Sequence, residues 1–104
     1  MRKTTLKLDL GTLVLGPLLA SSIREHKDGI KAARLGLIAP EDMTELTVTL
    51  THACAARVDP TVTRDYVESF IDADNQAAAF GACWGVSVPD AEPGETTAAV
   101  NPPT

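Results

Sequence analysis

Aromatic side chains are scarce: the 104 residues include one Trp, one Tyr and two Phe. Tyr66, Phe70, Phe80 and Trp84 all fall in one short stretch. The largest apolar anchors are therefore concentrated, and that segment is expected to organise the core or an interface. Cysteine is scarcer still. Cys54 and Cys83 cannot build the framework of a disulfide-stapled secreted domain, so free thiols in a cytosolic protein are the simpler expectation. No apolar run approaches the roughly 18 residues that a membrane-spanning helix needs. Met1, Arg2 and Lys3 followed by the apolar residues 10–20 have the outline of a secretory signal. Lys7, Asp9 and Pro17 interrupt or bound that run, however, and residues 6–10 alternate like a strand, which argues against secretion.

What is present is enough for one small core, since 44% of the residues are hydrophobic and a chain of this length has no room for a second domain. The formal charge of −5 is unevenly spread. Residues 1–34 hold seven Lys/Arg against three acids, residues 35–88 hold two against eight, and the last sixteen residues add three acids. Ordinary solvated surface accounts for this, although such a dipole also suits head-to-tail self-association. Nucleic acid is not an expected partner. The basic stretch has no aromatic residue on which bases could stack, and the rest of the chain repels phosphate.

Leu6, Leu8 and Leu10 alternate with Lys7 and Asp9, and Leu13 and Leu15 repeat the pattern around Val14. Residues 4–15 therefore read as a hairpin bending within residues 9–12. A lone hairpin is marginal in water and must dock on the helices or add strands to a neighbouring subunit. Ser22 with Glu25 has the spacing of a capping box, which predicts a helix start, and Ile23, His26, Ile30, Ala33 and Leu37 form its inward stripe. Gly36 is suited to end that helix. Pro40, Glu41 and Asp42 open a second helix with Met43, Leu46, Leu50, Ala53 and Cys54 on one face. The β-branched alternation of residues 46–51 competes with this, but the helical stripe outlasts it. Thr63 caps a third helix through Tyr66, Val67, Phe70 and Ile71. Asp72 or Asp74 caps a fourth, with Ala77, Phe80 and Trp84 on a shared face and Gly85 closing it. The expected fold is mainly α with a short N-terminal β-hairpin (α+β), compact over residues 1–88. The Pro-rich acidic residues 89–104 are expected to be a disordered tail.

No chemistry-bearing motif is completed. His52 and Cys54 lie two apart, which puts them on different sides of a helix, and neither a ligand-spacing pattern nor an oxyanion-hole signature joins them. Residues 72–76 begin like a calcium loop, but Ala77 stands where glycine must turn the chain and Cys83 where a bidentate glutamate is needed. Glu41, Asp42 and Glu45 sit at a helix start and are explained by its dipole. No enzyme activity, metal or cofactor is expected. Phe70, Ile71, Phe80 and Trp84 read first as core and second as a contact surface, with Trp84 the foremost contact residue.

The order of these segments carries a resemblance. A strand pair ends in Leu15-Gly16-Pro17-Leu18, a charged amphipathic helix follows, and the next helix ends His52-Ala53-Cys54-Ala55-Ala56-Arg57. Then come Asp59-Pro60-Thr61-Val62-Thr63-Arg64-Asp65-Tyr66-Val67-Glu68, Ile71-Asp72-Ala73-Asp74-Asn75, and a finish in Gly85-Val86-Ser87. Over residues 4–88 this resembles the tail assembly chaperones of long-tailed bacteriophages. The resemblance implies a non-enzymatic protein of the host cytoplasm, absent from the mature virion. Such a protein coats the hydrophobic tape measure protein, keeps it soluble and helps tail tube protein polymerise around it. It also implies a homo-oligomer, and residues 89–104 would suit a linker near a frameshift junction that gives a longer form. Helix-in-groove contact with the client is the expected mode, with Leu46, Leu50, Tyr66, Phe70, Phe80 and Trp84 as the contact residues. Two other readings fit the same size and charge. One is a structural head–tail completion or tail terminator subunit; the other is a small antitoxin-like or regulatory module that neutralises a basic partner.

Overall fold

The computed structural model describes residues 1–9 and 11–88. The expected hairpin is present: β1 (Thr4–Leu8) pairs antiparallel with β2 (Gly11–Leu15), Thr4 opposite Leu15 and Leu6 opposite Leu13. Pairing resumes at Gly11, opposite Leu8, so the bend is tighter than the four residues expected. Leu6, Leu13 and Leu15 are buried on one face while Thr5 and Val14 face outward, as a period of two requires. Gly11 admits the hairpin to the core: a β-carbon there would lie 2.6 Å from Cζ of Phe70. The hairpin docks on helices of its own chain.

Five helices follow among the described residues. The first, α1 (Ala20–Glu25), starts earlier than Ser22, with Leu19 at the N-cap and no side-chain cap. The Ser22–Glu25 capping box is therefore not used, because Ser22 already lies inside the helix. The Leu18 N–H donates to Ser87 Oγ (2.9 Å) and fixes the approach instead. A bend at His26 separates α1 from α2 (Lys27–Arg34), where a single helix was expected. The ladder continues across it, from the His26 N–H to the Ser22 carbonyl and from the Ile30 N–H to the His26 carbonyl. Gly36 ends α2 at φ 72°. Its N–H donates to Ala33 (3.2 Å) and the Leu37 N–H to Ala32 (2.8 Å), the paired bonds of a Schellman motif.

The central element is α3 (Pro40–Val58), with Pro40 in its first turn beside Glu41 and Asp42. The helical period prevails over the strand-like alternation of residues 46–51 because both faces of that alternation find cover. Leu46 and Leu50 are buried, and so are Thr47 and Thr51. One side of α3 meets β2 and another meets α5 (Gln76–Ser87). Between them, α4 (Arg64–Glu68) is capped as expected, Thr63 Oγ1 accepting the Tyr66 N–H (3.1 Å).

The start of α5 departs from a simple acidic cap. Asp72 Oδ1 accepts the N–H groups of Asp74 and Asn75, while Asn75 Oδ1 accepts that of Asp72, closing a turn just ahead of the helix. Gly85 does not end α5, which runs on to Ser87. Its inward face is Ala79, Phe80, Cys83 and Val86, with Ala77 exposed and Trp84 partly buried. Ser87 then accepts from Leu18 and donates to the Cys83 carbonyl (2.7 Å). Arg57 donates to the Pro17 carbonyl (2.6 Å) and the Gly16 N–H to the Cys54 carbonyl (2.9 Å), so the link between β2 and α1 is held at three points. The expectation for residues 89–104 lies outside the described residues.

Candidate functional site

The six residues expected to contact a partner divide into two groups. Leu46, Leu50, Phe70 and Phe80 are buried in the core, and of the four only Leu46 reaches a groove, between α2 and α3. Tyr66 is exposed and Trp84 partly buried. Tyr66 packs its ring on Phe70 with centroids 4.7 Å apart, beside Thr61, Val62 and Thr63. Of that set, only Tyr66 and Trp84 are not buried.

The uncovered apolar surface lies elsewhere, along α1 and α2. No residue of α1 is buried, and α2 buries Ile30 alone. Leu19 is exposed, Leu35 is 60% exposed and Leu37 is 76% exposed. The expected inward stripe holds at Ile30, which is buried in the core, and at Ile23 and Ala33, which pack against it, and fails at Leu37; at its edge Ile23 and Ile30 also line a groove with Leu35 and Trp84, of about 410 Å³. Lys27, Lys31 and Arg34 rim it. None of the three is paired with a carboxylate among the described residues, whose one ion pair joins Arg64 to Glu45. The Arg34 guanidinium lies over the Trp84 ring, 5.0 Å from its centroid, a contact worth about 0.5–1 kcal/mol at an exposed site.

The fold thus brings an aromatic ring to the basic helices, although the two are far apart in the chain. Arg34 covers a face of the Trp84 ring. Trp84 Nε1 is buried without a partner among the described residues, a desolvation that costs about 1–3 kcal/mol.

On the other flank of α2 lies a second groove of about 720 Å³, lined by Leu37, Ile38 and Leu46 and edged by Asp28, Asp42 and Glu45. Basic and acidic grooves therefore flank the same helix. Gly29 of α2 faces Leu46 of α3 here, and a β-carbon at Gly29 would make ordinary contact with a Leu46 methyl at 3.5 Å.

The residues weighed for chemistry have structural roles. His52 Nε2–H donates to the Val62 carbonyl (3.0 Å) and ties α3 to the loop before α4. The Cys54 and Cys83 thiols are free and buried. Cys83 Sγ also donates to Thr51 Oγ1 (3.5 Å). The hydrogen bond to Cys83 and burial push the Cys54 thiol well above its ordinary value, so it stays protonated and is a poor nucleophile. The same contact lowers Cys83, against the desolvation that raises it. Asp72 spends its carboxylate on backbone N–H groups. No three His, Cys, Asp or Glu side chains among the described residues converge as a metal site. No helix among them is long and apolar enough to cross a membrane.

Comparison with protein-family models, curated proteins and solved structures finds no match to this chain. The site is therefore read from its own residues.

The basic groove was not apparent from the sequence. Its signal was present in Ile23, Lys27, Ile30, Lys31 and Arg34, which share a helical face where cations and branched aliphatics alternate. Lys27, Lys31 and Arg34 were expected to stay in water beside the inward stripe, and nothing local shows that Trp84 of α5 closes a groove among them.

Proposed function

We propose that this chain is a non-enzymatic phage tail assembly chaperone. On this reading it binds and solubilises the tape measure protein in the host cytoplasm and promotes polymerisation of tail tube protein around it. The observation that carries the reading is the apolar surface of α1 and α2, left open at Leu19, Leu35 and Leu37 beside the Trp84 groove. A holdase needs apolar surface held on a rigid base, and the buried α3–α5–hairpin body is such a base. The segment order from the hairpin to Ser87, which resembles that family, supports the same reading. Client contact moves from the core residues Leu46, Leu50, Phe70 and Phe80 to Leu35, Leu37 and Trp84, with Tyr66 at a separate patch. Several copies along one long helical client account for the size of the chain, and neither nucleic acid nor membrane is a partner on this reading.

The test is coexpression with a long helical tape measure protein encoded beside it, followed by size-exclusion chromatography. The client should become soluble only with this chain and elute with many copies bound. The double variant Leu35→Ser, Leu37→Ser should keep its fold by circular dichroism and lose the complex. A client that is equally insoluble in its presence sinks the proposal. Recovery of the chain in purified virions points instead to a structural tail subunit.

A further inference from the structure

We propose that the basic groove is occupied in the free protein by the acidic segment of its own chain that follows α5, residues 89–95. The groove has an apolar floor of Ile23, Ile30, Leu35 and Trp84 and a cationic rim of Lys27, Lys31 and Arg34. That rim is unpaired among the described residues. The segment carries Asp90, Glu92 and Glu95, and no Lys or Arg occurs from residue 89 to residue 104. Charge is complementary on both sides.

Position favours the same occupant. Trp84 lies in the last turn of α5, and Val88 is bonded to it, its N–H donating to the Trp84 carbonyl (2.9 Å). Four residues of helix span about 6 Å, so the chain leaves α5 at the edge of the groove. Asp90 to Glu95 then lie within about 7–25 Å of chain from Val88, which covers the three cations without a long loop. Pro89, Ala91 and Pro93 alternate with Asp90 and Glu92. In extended form, a period of two would turn Asp90 and Glu92 to one side and Pro89, Ala91 and Pro93 to the other, with Glu95 beyond the alternation. Proline also lowers the entropy lost on docking, and aromatic-lined grooves accept such segments.

A short tether holds the segment at an effective concentration on the order of millimolar. Even a weak site is then filled in cis, whereas a second copy at micromolar concentration cannot compete. The acids on the folded body are fixed in their own elements, and Glu45 already pairs with Arg64. Docking stands on the groove alone. Its consequence, that a client must displace the segment to reach Trp84, rests on the chaperone reading.

Trp84 is the sole tryptophan, so its fluorescence reports the groove directly. The comparison is between the full chain and its triple variant Asp90→Asn, Glu92→Gln, Glu95→Gln, measured by acrylamide quenching without any client. At low salt the variant should quench about twofold more strongly, and added salt should raise the wild type towards the variant while leaving the variant unchanged. Lys27→Glu with Lys31→Glu should open the groove as the triple variant does, and adding Asp90→Lys with Glu92→Lys should close it again. Equal quenching of wild type and triple variant at low salt overturns the proposal, as does failure of the charge-swapped chain to restore protection. Protection that grows with protein concentration assigns the groove to a second copy and overturns docking in cis. No client enters the measurement, so its failure is separable from failure of the chaperone reading.

Discussion

Helix α3 buries seven of its nineteen residues, whereas α1 buries none and α2 only Ile30. The two regions share one chain and the same helical spacing of aliphatics, yet one is a core and the other a surface. The difference comes from what packs on them. Helix α3 is covered by β2, α4, α5 and α2, while α2 is held chiefly by α3, the Arg34–Trp84 contact and its glycine stop. A helix attached along one narrow line can open without unfolding the body beneath it. That is a useful property in the part of the molecule that presents the basic groove.

The comparison breaks most sharply at Leu50, which is 1% exposed in the middle of α3. Leu50→Ala should cost about 2–5 kcal/mol of global stability in a urea titration, because surrounding elements cannot all close on the cavity. Ile30→Ala removes the single buried anchor of α2 and should cost less, about 2 kcal/mol. Hydrogen exchange should then show protection lost in α1 and α2 but kept in α3, and uniform loss would refute the division into body and arm. Thr47 sharpens the comparison from the other side, since its hydroxyl is fully buried and has no partner among the described residues. Thr47→Val should stabilise the protein by about 1 kcal/mol, an unusual sign for a core substitution, because an orphaned polar group is removed at nearly constant shape. The smallest effect belongs to Asp59, just beyond α3, whose carboxyl is held below its ordinary 3.8 first by the Thr61 hydroxyl and then by the Thr61 N–H. A folded-state value depressed in this way contributes stability that is complete above the unfolded value and is lost as pH falls through the folded one. The difference between wild type and Asp59→Asn should therefore vanish at acid pH, and an NMR titration of Asp59 should give a midpoint below 3.8.

Local signals were read correctly where one short segment decides the outcome. The alternation of Leu6, Leu8, Leu13 and Leu15 (Leu10 lies outside the described residues), Pro40 opening α3, Thr63 capping α4 and Gly36 stopping α2 each depend on neighbours a few residues away. What failed depends on distant partners. Ser22 was expected at a helix start, but the Leu18–Ser87 hydrogen bond sets that start across 69 residues. Gly85 was expected to end α5, yet the helix continues until Ser87 has bonded to Leu18 and Cys83. The burial of four of the six expected contact residues was missed for the same reason. Leu46, Leu50, Phe70 and Phe80 look like a sticky face until the elements around α3 are docked, and the stripe of α2 is core at Ile30 but ends exposed at Leu37.

The Ser87 hydroxyl also has a consequence in time. It joins the last turn of the last helix to the connection that follows the first two strands, and β1 itself packs against α5. During synthesis the hairpin emerges first and the element that completes its cover emerges last. Leu6, Leu13 and Leu15 must therefore wait for almost the whole domain before their shared face is shielded. A nascent chain arrested before residue 76 should expose the hairpin to protease, and one extended past residue 88 should protect it.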